Sequence, residues 1–190
     1  RHLRNLVALG EKEITLYRTH QSSLPEEDLA GYPVTSDLEA ALETGEIALV
    51  LVEPALTNCS LVLPDPGFLD AAGVLARKHG ALFCLDETHT WQFSYGGFIR
   101  TEDLSPDFLT LGKGLGSATP LGVYGMSATL SAFLEEHHDI ADSPVRGLAI
   151  GGTTYANPLT MAAARAMLEE IATEEAYRLS LIHISQGIVR

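Results

Sequence analysis

The sequence predicts an α/β protein in which a mostly parallel sheet carries helices on both faces. Two patterns support this fold class. Apolar runs suited to strands alternate with segments of helical periodicity, and the strand runs are nearly continuous in apolar residues, as in sheets covered on both sides. The composition agrees, since 46% of the 190 residues are hydrophobic and 19% are charged, which is typical of a globular chain.

The first predicted elements are a helix and a strand. The segment "SDLEAALETG" predicts a helix that begins at Ser36, with Glu39 completing a capping box and Gly45 ending it. The run "IALVLVEP" then predicts a buried strand over residues 47–52. Upstream, residues 1–30 contain one weak strand signal, "ITLYR", and an acidic loop.

A second helix is predicted in "DPGFLDAAGVLARKHG". Asp65 is its expected cap, Pro66 its first helical residue and Gly80 its end. Its predicted buried face consists of Phe68, Ala72, Leu75 and Ala76. The remaining predictions are strands at 81–86, 107–112 and 121–126, and helices at about 127–138 and about 157–176, the last capped by Asn157.

Polar residues follow three of the predicted strands at their carboxyl ends. They are Glu53, Asp86 and the pair Gly112–Lys113. Because the carboxyl ends of parallel strands meet at one edge of the sheet, where ligands bind, the sequence predicts a ligand site at this edge.

Net charge and cysteine content narrow the function classes. The formal net charge is −13, which argues against nucleic acids and acidic membranes as partners, because both require a basic patch. The two cysteines cannot form a disulfide framework, so a reducing, cytoplasmic compartment is expected. No stretch of the sequence is long enough to span a bilayer. The chain begins with Arg1 rather than Met, which indicates a part of a longer protein.

The carboxylates that end "ALFCLD" and begin "ETHT" also fit other site types. Asp86 and Glu87 could end a Walker B strand, but Asp107 stands where the first glycine of a P-loop would be. Asp86, Glu87 and His89 could bind a metal, but alternation on a strand separates Asp86 from the other two, and no paired Cys/His spacing exists. No metal is therefore expected. A serine hydrolase is disfavoured because the sequence lacks Gly-x-Ser-x-Gly.

Lys113 differs from the other two lysines of the chain. Lys12 lies between two glutamates, and Lys78 lies at the end of a predicted helix. In "LTLGKGLG", Lys113 follows a buried strand between glycines, which let the backbone turn sharply and a flat ligand approach. Partial desolvation there would free the amine as a nucleophile. A surface lysine in a flexible turn fits the same spacing.

The combination of Lys113 and Asp86 indicates a specific cofactor. Pyridoxal 5′-phosphate (PLP) forms a Schiff base with a lysine, and a carboxylate keeps its pyridine nitrogen protonated, so that the ring can accept electrons from the substrate. The alternative role for Asp86 is to cap the turn that follows it.

Four segments of the sequence are similar, in order and spacing, to class III aminotransferases. They are "VLVEPALTN", "PGFLDAAGVLARKHGALFCLDETHT", "PDFLTLGKGLGSATPLGVYGM" and "GGTTYANPLTMAAARAML". The resemblance runs from about Gly31 to about Tyr177 and is strongest to the branch around glutamate-1-semialdehyde aminomutase. It implies the large domain of the PLP-dependent transferase fold type I. It also implies an enzyme that transfers an amino group between an amine or amino acid and an acceptor, or within one substrate.

The resemblance implies roles for residues along the predicted sheet edge. Lys113 matches the lysine that holds the cofactor and then shuttles a proton, and Asp86 matches the partner of the pyridine nitrogen. Thr88 falls against the ring face, where the family usually has an apolar residue. Glu53 matches the glutamate of the family's Glu-Pro motif, near the active site.

Two further matches lie outside this edge. Asn58 falls where the aminomutase branch has an asparagine, near the phenolic oxygen of the cofactor or the substrate. Thr153 matches the threonine that contacts the cofactor phosphate of the neighbouring subunit. The resemblance therefore implies a homodimer with shared sites.

The resemblance also divides the chain into three parts. Residues 1–30 form a poorly defined N-terminal segment, residues 31–177 the cofactor-binding core of the large domain, and residues 178–190 a divergent tail. The phosphate-binding loop, the ring-stacking aromatic and the small domain of the family are not found in the sequence, so an incomplete chain is expected. The alternative is a non-catalytic relative or truncated fragment that acts only as a dimerisation or scaffold unit.

Overall fold

The computed structural model describes most of the chain. The described residues are 10, 14, 16–17, 32–58, 61–117, 119–137 and 154–179. The chain divides into two compact units, Arg1–Ala48 and Leu49–Arg190. Within the described residues, no helix has the length and apolar character needed to cross a membrane.

The first unit contains a two-stranded parallel sheet and a short helix. Strand β1 (Leu16–Tyr17) lies within the weak signal "ITLYR" and pairs with β2 (Val34–Thr35). Helix α1 (Leu38–Glu43) is capped by Asp37, whose carboxylate accepts a hydrogen bond from the third helical N–H at 3.1 Å. The predicted capping box at Ser36 is wrong, because the Asp37 carboxylate takes the capping position one residue later.

The second unit is built on a four-stranded sheet. Its strands are β3 (Leu49–Val52), β4 (Leu82–Asp86), β5 (Phe108–Leu111) and β6 (Val123–Met126). They lie in the order β3-β4-β5-β6, with β3, β4 and β5 parallel and β6 antiparallel to β5. The predicted mostly parallel sheet is confirmed, and all four strands lie inside their predicted segments.

Helices and helical turns connect these strands. They are α2 (Phe68–Lys78), α3 (Gly97–Thr101), α4 (Ala128–His137) and α5 (Pro158–Ala166), with 3₁₀ turns at Thr90–Gln92 and Lys113–Gly116. Asn157 caps α5 as predicted, since its side chain accepts a hydrogen bond from the Leu159 N–H at 3.0 Å.

The end of α5 differs from the single helix predicted to about residue 176. The helix passes into a π-helical turn, Met167–Ile171, and a separate helical segment covers residues 174–179. Thr173 accepts a hydrogen bond from the Ala176 N–H at 3.2 Å. This side chain thus caps a new helical start, which interrupts the predicted run.

Helix α2 begins two residues later than predicted. Gly67 precedes it with a left-handed backbone (φ 81°), which excludes Pro66 from the helical run. Asp65 is not the cap, because its backbone carbonyl accepts the Phe68 N–H at 3.1 Å in a turn before the helix. Gly80 follows the end of the helix, as predicted.

The buried face of α2 is also shifted from the predicted one. Its members are Leu69, Ala72, Gly73 and Ala76. Ala72 and Ala76 confirm the prediction, whereas Phe68 is 42% exposed. A stripe that begins at Leu69 continues three, four and seven residues later, and this spacing places Phe68 on a neighbouring face.

The core of the second unit lies between α2 and strand β4. Phe83, Cys84 and Leu85 of β4 are buried. Gly73 of α2 lies so near the Phe83 ring that a Cβ would come within 3.0 Å of it. Strand β3 is more open, and Leu51 is 57% exposed. The buried β4 therefore provides the rigid base from which the residues after it extend.

Candidate active site

The carboxyl ends of β3, β4 and β5 meet at one edge of the sheet. Val52 pairs with Leu85, so Glu53 and Asp86 follow neighbouring positions. Asp86 itself pairs with Thr110, three residues before Lys113. The register thus brings the polar ends of the three strands together along one edge.

Asp86 is held by hydrogen bonds that all reach one of its two carboxylate oxygens. Its Oδ1 accepts the N–H of Thr88 at 3.0 Å, the hydroxyl of Thr110 at 2.8 Å and the hydroxyl of Thr88. Among the described residues, none donates a hydrogen bond to Oδ2. One oxygen is therefore fixed by the protein, and the other is left for a ligand.

The same contacts set the charge of Asp86. Burial acts to raise the pKa of its carboxyl group, but the hydrogen bonds from Thr88 and Thr110 and the positive charge of Lys113 outweigh burial. The pKa therefore lies below its ordinary value. The neighbouring Cys84 responds in the opposite sense, since burial and the charge of Asp86 raise the pKa of its thiol. Asp86 thus stays ionised near neutral pH.

Lys113 begins the 3₁₀ turn after β5 in an unusual backbone conformation. Its φ is +50°, in the left-handed region that residues with a side chain rarely adopt. The side chain is exposed in the isolated chain, which differs from the predicted desolvation. Within the described residues it makes no ion pair with Asp86, although its charge acts on that carboxyl group. The two groups therefore stand at one edge without neutralising each other directly.

The glycines around Lys113 are required by close packing inside the protein. A Cβ on Gly112 would lie 3.1 Å from the Thr88 methyl, and one on Gly114 would lie 2.7 Å from the Gln92 side-chain oxygen. The indole N–H of Trp91 donates to the Gly112 carbonyl at 3.0 Å. The segment after β4 thus packs against the Lys113 turn, and Thr88 contacts both Asp86 and this turn.

Glu87 is a structural residue that the sequence analysis considered only for metal or nucleotide sites. It is 1% exposed and accepts the N–H groups of Phe98 at 2.8 Å and Ile99 at 2.9 Å. It also accepts the Thr90 hydroxyl at 3.2 Å. Adjacent residues of an extended strand point to opposite sides of the sheet. This alternation is the sequence signal that predicts different surroundings for Glu87 and Asp86.

Within the described residues, His89 does not hydrogen-bond to Asp86 but contacts the Thr57 hydroxyl through Nδ1. The described residues contain no group of three or more His, Cys, Asp or Glu side chains arranged to hold a metal ion.

Within the described residues, Glu53 and Asn58 do not take part in the hydrogen bonds around Asp86. Glu53 is half-buried and Asn58 is exposed, and within the described residues neither side chain makes a hydrogen bond. Asn58 lies in a loop that an antiparallel bridge between Leu56 and Val62 closes. Thr153 lies outside the described residues.

The geometry of Asp86 and Lys113 fits a pyridine cofactor that carries an aldehyde. An ionised carboxylate with one open oxygen suits a protonated ring nitrogen, and a primary amine at the same edge suits an aldehyde. A family-wide sequence model described as aminotransferase class-III matches residues 11–181, and the chain belongs to this family. The predicted family is confirmed, and PLP, the predicted cofactor, is the cofactor of this family.

The most informative relatives are glutamate-1-semialdehyde 2,1-aminomutases. The chain is 35% identical over 135 residues to that of Syntrophomonas wolfei subsp. wolfei, covering 70% of this chain and 30% of the relative. It is 35% identical over 162 residues to that of Anaeromyxobacter dehalogenans (strain 2CP-1), covering 84% of this chain and 34% of the relative. The chain therefore spans about a third of the length of these relatives.

Solved structures confirm the predicted fold type. A glutamate-1-semialdehyde aminomutase from Pseudomonas aeruginosa PAO1 in complex with PMP has a TM-score of 0.69 and 32% identity, over 87% of this chain and 39% of that one. A β-phenylalanine aminotransferase from Variovorax paradoxus has a TM-score of 0.63 and 28% identity, over 93% of this chain and 43% of that one.

Proposed function

We propose that this chain is the cofactor-binding part of a PLP-dependent enzyme that transfers an amino group. The enzyme acts on an amino acid or amine, either as an aminotransferase or as an aminomutase of the glutamate-1-semialdehyde type. One observation carries the proposal: Asp86 is kept ionised with one oxygen open, at the sheet edge that also holds Lys113. The family membership and the names of the relatives support it.

Asp86 is the proposed partner of the pyridine nitrogen. When PLP is bound, its protonated ring withdraws electrons and so stabilises negative charge at the substrate carbon. The open Oδ2 of Asp86 would accept a hydrogen bond from the ring N–H. Since the pKa of Asp86 lies below its ordinary value, the carboxylate stays charged and holds the proton on the ring nitrogen.

Lys113 is the proposed covalent anchor and proton carrier. Its amine would hold the cofactor through the aldehyde carbon, with loss of water, and would accept and donate a proton at the substrate carbon. Gly112 and Gly114 let this turn pack closely against the segment after β4, which fixes where the lysine begins. Its exposure in the isolated chain leaves the amine accessible to the cofactor.

The remaining predicted contacts complete the proposal. Glu53 and Asn58 belong to the border of the site, and Thr153 contacts the cofactor phosphate of a neighbouring subunit. The active protein would accordingly be a homodimer, and these contacts rest on the resemblance of their motifs to the family. The proposed cytoplasmic location rests on the cysteine content, since two cysteines cannot form a disulfide framework.

Borohydride reduction tests the proposed anchor. The chain is incubated with PLP, reduced, digested and mapped by mass spectrometry, beside a Lys113→Arg variant. A pyridoxyl group is expected on Lys113 in the wild type and on no lysine in the variant. Labelling of Lys12 or Lys78, or no labelling in a complete version of the chain, would contradict the proposal. A dimer that assembles without cofactor and is unaffected by Lys113→Ala would instead favour a scaffold unit.

A further inference from the structure

We infer that Thr88 and Thr110 are positioning residues that together decide which oxygen of Asp86 faces the cofactor. This inference rests on the proposed function and deepens it, since it assigns how the chain orients the group that binds the ring. Thr110 acts through Asp86. Thr88, which the resemblance places against the ring face, also acts on Asp86 through its hydroxyl and its N–H.

The donors to Asp86 are unevenly distributed over the two oxygens of its carboxylate. The hydroxyl of Thr110 donates to Oδ1 at 2.8 Å, the N–H of Thr88 donates to Oδ1 at 3.0 Å, and the hydroxyl of Thr88 donates to the same oxygen. A carboxylate accepts about four hydrogen bonds over its two oxygens. Three donors therefore fill the capacity of Oδ1, and the ring N–H can only be accepted by Oδ2.

The hydroxyls of Thr88 and Thr110 reach Asp86 from two different elements of the fold. Thr110 lies on β5 directly opposite Asp86 in the parallel register, and its carbonyl accepts the Glu87 N–H at 3.0 Å. Thr88 lies on the segment after β4, beyond Glu87. A side chain held from two elements cannot rotate about its Cβ–Cγ bond without breaking contacts on both sides. We call the hydroxyls of Thr88 and Thr110, together with the Thr88 N–H, the Asp86 clamp. This clamp fixes the plane of the Asp86 carboxylate as well as which oxygen stays open.

Thr88 also connects the clamp to Lys113, the proposed covalent anchor. The methyl group of Thr88 packs against the backbone of Gly112, where a Cβ would come within 3.1 Å of it. Gly112 immediately precedes Lys113. Thr88 therefore contacts both the Asp86 carboxylate and the turn that carries the Lys113 amine. It thereby fixes the relative positions of the two groups proposed to bind the cofactor ring.

Among the described residues, Lys113 and Cys84 are the titratable groups that interact electrostatically with Asp86. Lys113 acts to lower the pKa of its carboxyl group, and the buried Cys84 thiol, whose pKa is raised, is neutral near pH 7. The hydroxyl groups of Thr88 and Thr110 are the other side chains that lower the pKa of Asp86. The effect of removing either hydroxyl can therefore be measured as a change in the pKa of Asp86.

The first experiment uses the cofactor-free chain. Carbon-13 NMR follows the Asp86 carboxyl group during a pH titration in wild type, Thr88→Val, Thr110→Val and the corresponding Ser variants. We expect each Val variant to raise the pKa of Asp86, because a donor to the ionised form is lost, and each Ser variant to restore it. Thr90→Val is the matched control, since its hydroxyl donates to Glu87 and not to Asp86.

The same variants predict a change in acid sensitivity. The pKa of Asp86 is lowered in the folded chain, so its contribution to stability is present above the unfolded pKa of about 3.9 and is lost as the pH falls through the folded value. Thr88→Val and Thr110→Val reduce this contribution. Their free energy of unfolding should therefore fall less than that of the wild type when the pH drops below about 4.

The second experiment measures PLP affinity by fluorescence titration. Each Val variant is expected to bind PLP about tenfold more weakly, the effect of one hydrogen bond to a charged group, and each Ser variant to bind near the wild-type level. If the wild type binds PLP and the Val variants bind it equally well, or if the titration of Asp86 does not move, the clamp is refuted and the proposed function stands. If neither this chain nor a complete version of the chain binds PLP, the proposed function fails and this inference fails with it.

Discussion

Two strand ends of the same sheet, those of β3 and β4, differ in how completely the chain itself organises them. After β4, Asp86 and Glu87 are held by donors from β5, from α3 and from the segment that joins β4 to α3. After β3, Glu53 and Asn58 make no side-chain hydrogen bond within the described residues. Both ends carry polar residues, and both were predicted by the same rule for parallel sheets.

The difference shows that a position at the sheet edge does not by itself fix a side chain. The β4 end is organised because later elements of this chain return to it: Trp91 donates to the Gly112 carbonyl, and α3 directs its N–H groups to Glu87. The β3 end is followed by a loop that one backbone bridge, between Leu56 and Val62, closes. Substitutions should therefore affect stability strongly after β4 and weakly after β3.

The largest effect is expected from Gly97→Ala, with Gly67→Ala as its matched control. Both glycines have positive φ, +70° and +81°, but a Cβ on Gly97 would lie 2.6 Å from a carboxylate oxygen of Glu87, whereas one on Gly67 meets nothing within 4 Å. Gly97→Ala should lower the free energy of unfolding by about 3 kcal/mol and Gly67→Ala by about 1 kcal/mol. Urea denaturation followed by circular dichroism measures both. Equal losses would mean that backbone strain alone decides the outcome.

A smaller effect is expected from Glu87→Gln, with Glu53→Gln as its control. The two carboxylate oxygens of Glu87 each accept a backbone N–H, and an amide would replace one oxygen with a donor that faces a donor. The free energy of unfolding should fall by about 2 kcal/mol, against less than about 0.5 kcal/mol for Glu53→Gln. Comparable decreases in the free energy of unfolding of the two variants would contradict the proposed difference between the strand ends.

The smallest effect is expected from Trp91→Phe. This change keeps a buried aromatic ring but removes the N–H that donates to the Gly112 carbonyl at 3.0 Å. A loss of about 1 kcal/mol is expected, together with faster amide hydrogen exchange in the turn around Lys113. Exchange that stays at the wild-type rate would show that the glycine turn keeps its shape without the indole.

Much of the fold was predictable because strand and helix signals are local. The four strands of the second unit lie within predicted segments, and Asn157 caps α5 as its sequence indicates. Two of the errors occur at helix starts, where a residue next to the predicted one determines where the helix begins. Asp37 caps α1 instead of Ser36, and Gly67 moves the start of α2 past Pro66.

The sequence predicted which polar residues share a sheet edge but not which contacts they make. The parallel register places Asp86 at the same sheet edge as the Lys113 turn, which alternation of strands and helices implies. The sequence does not show that Thr110 reaches Asp86 or that Glu87 accepts N–H groups ten or more residues away, because these contacts depend on how distant segments pack. Nor does it show that Lys113 is exposed in the isolated chain.

The positive φ of Lys113 has a consequence for how this position tolerates change. A residue with a side chain is costlier there than glycine by about 1 kcal/mol, so the fold alone would favour Lys113→Gly. Substitutions chosen for thermal stability alone would therefore favour loss of the amine. Under the proposed function this amine holds the cofactor, so Lys113 exchanges some stability of the fold for chemistry.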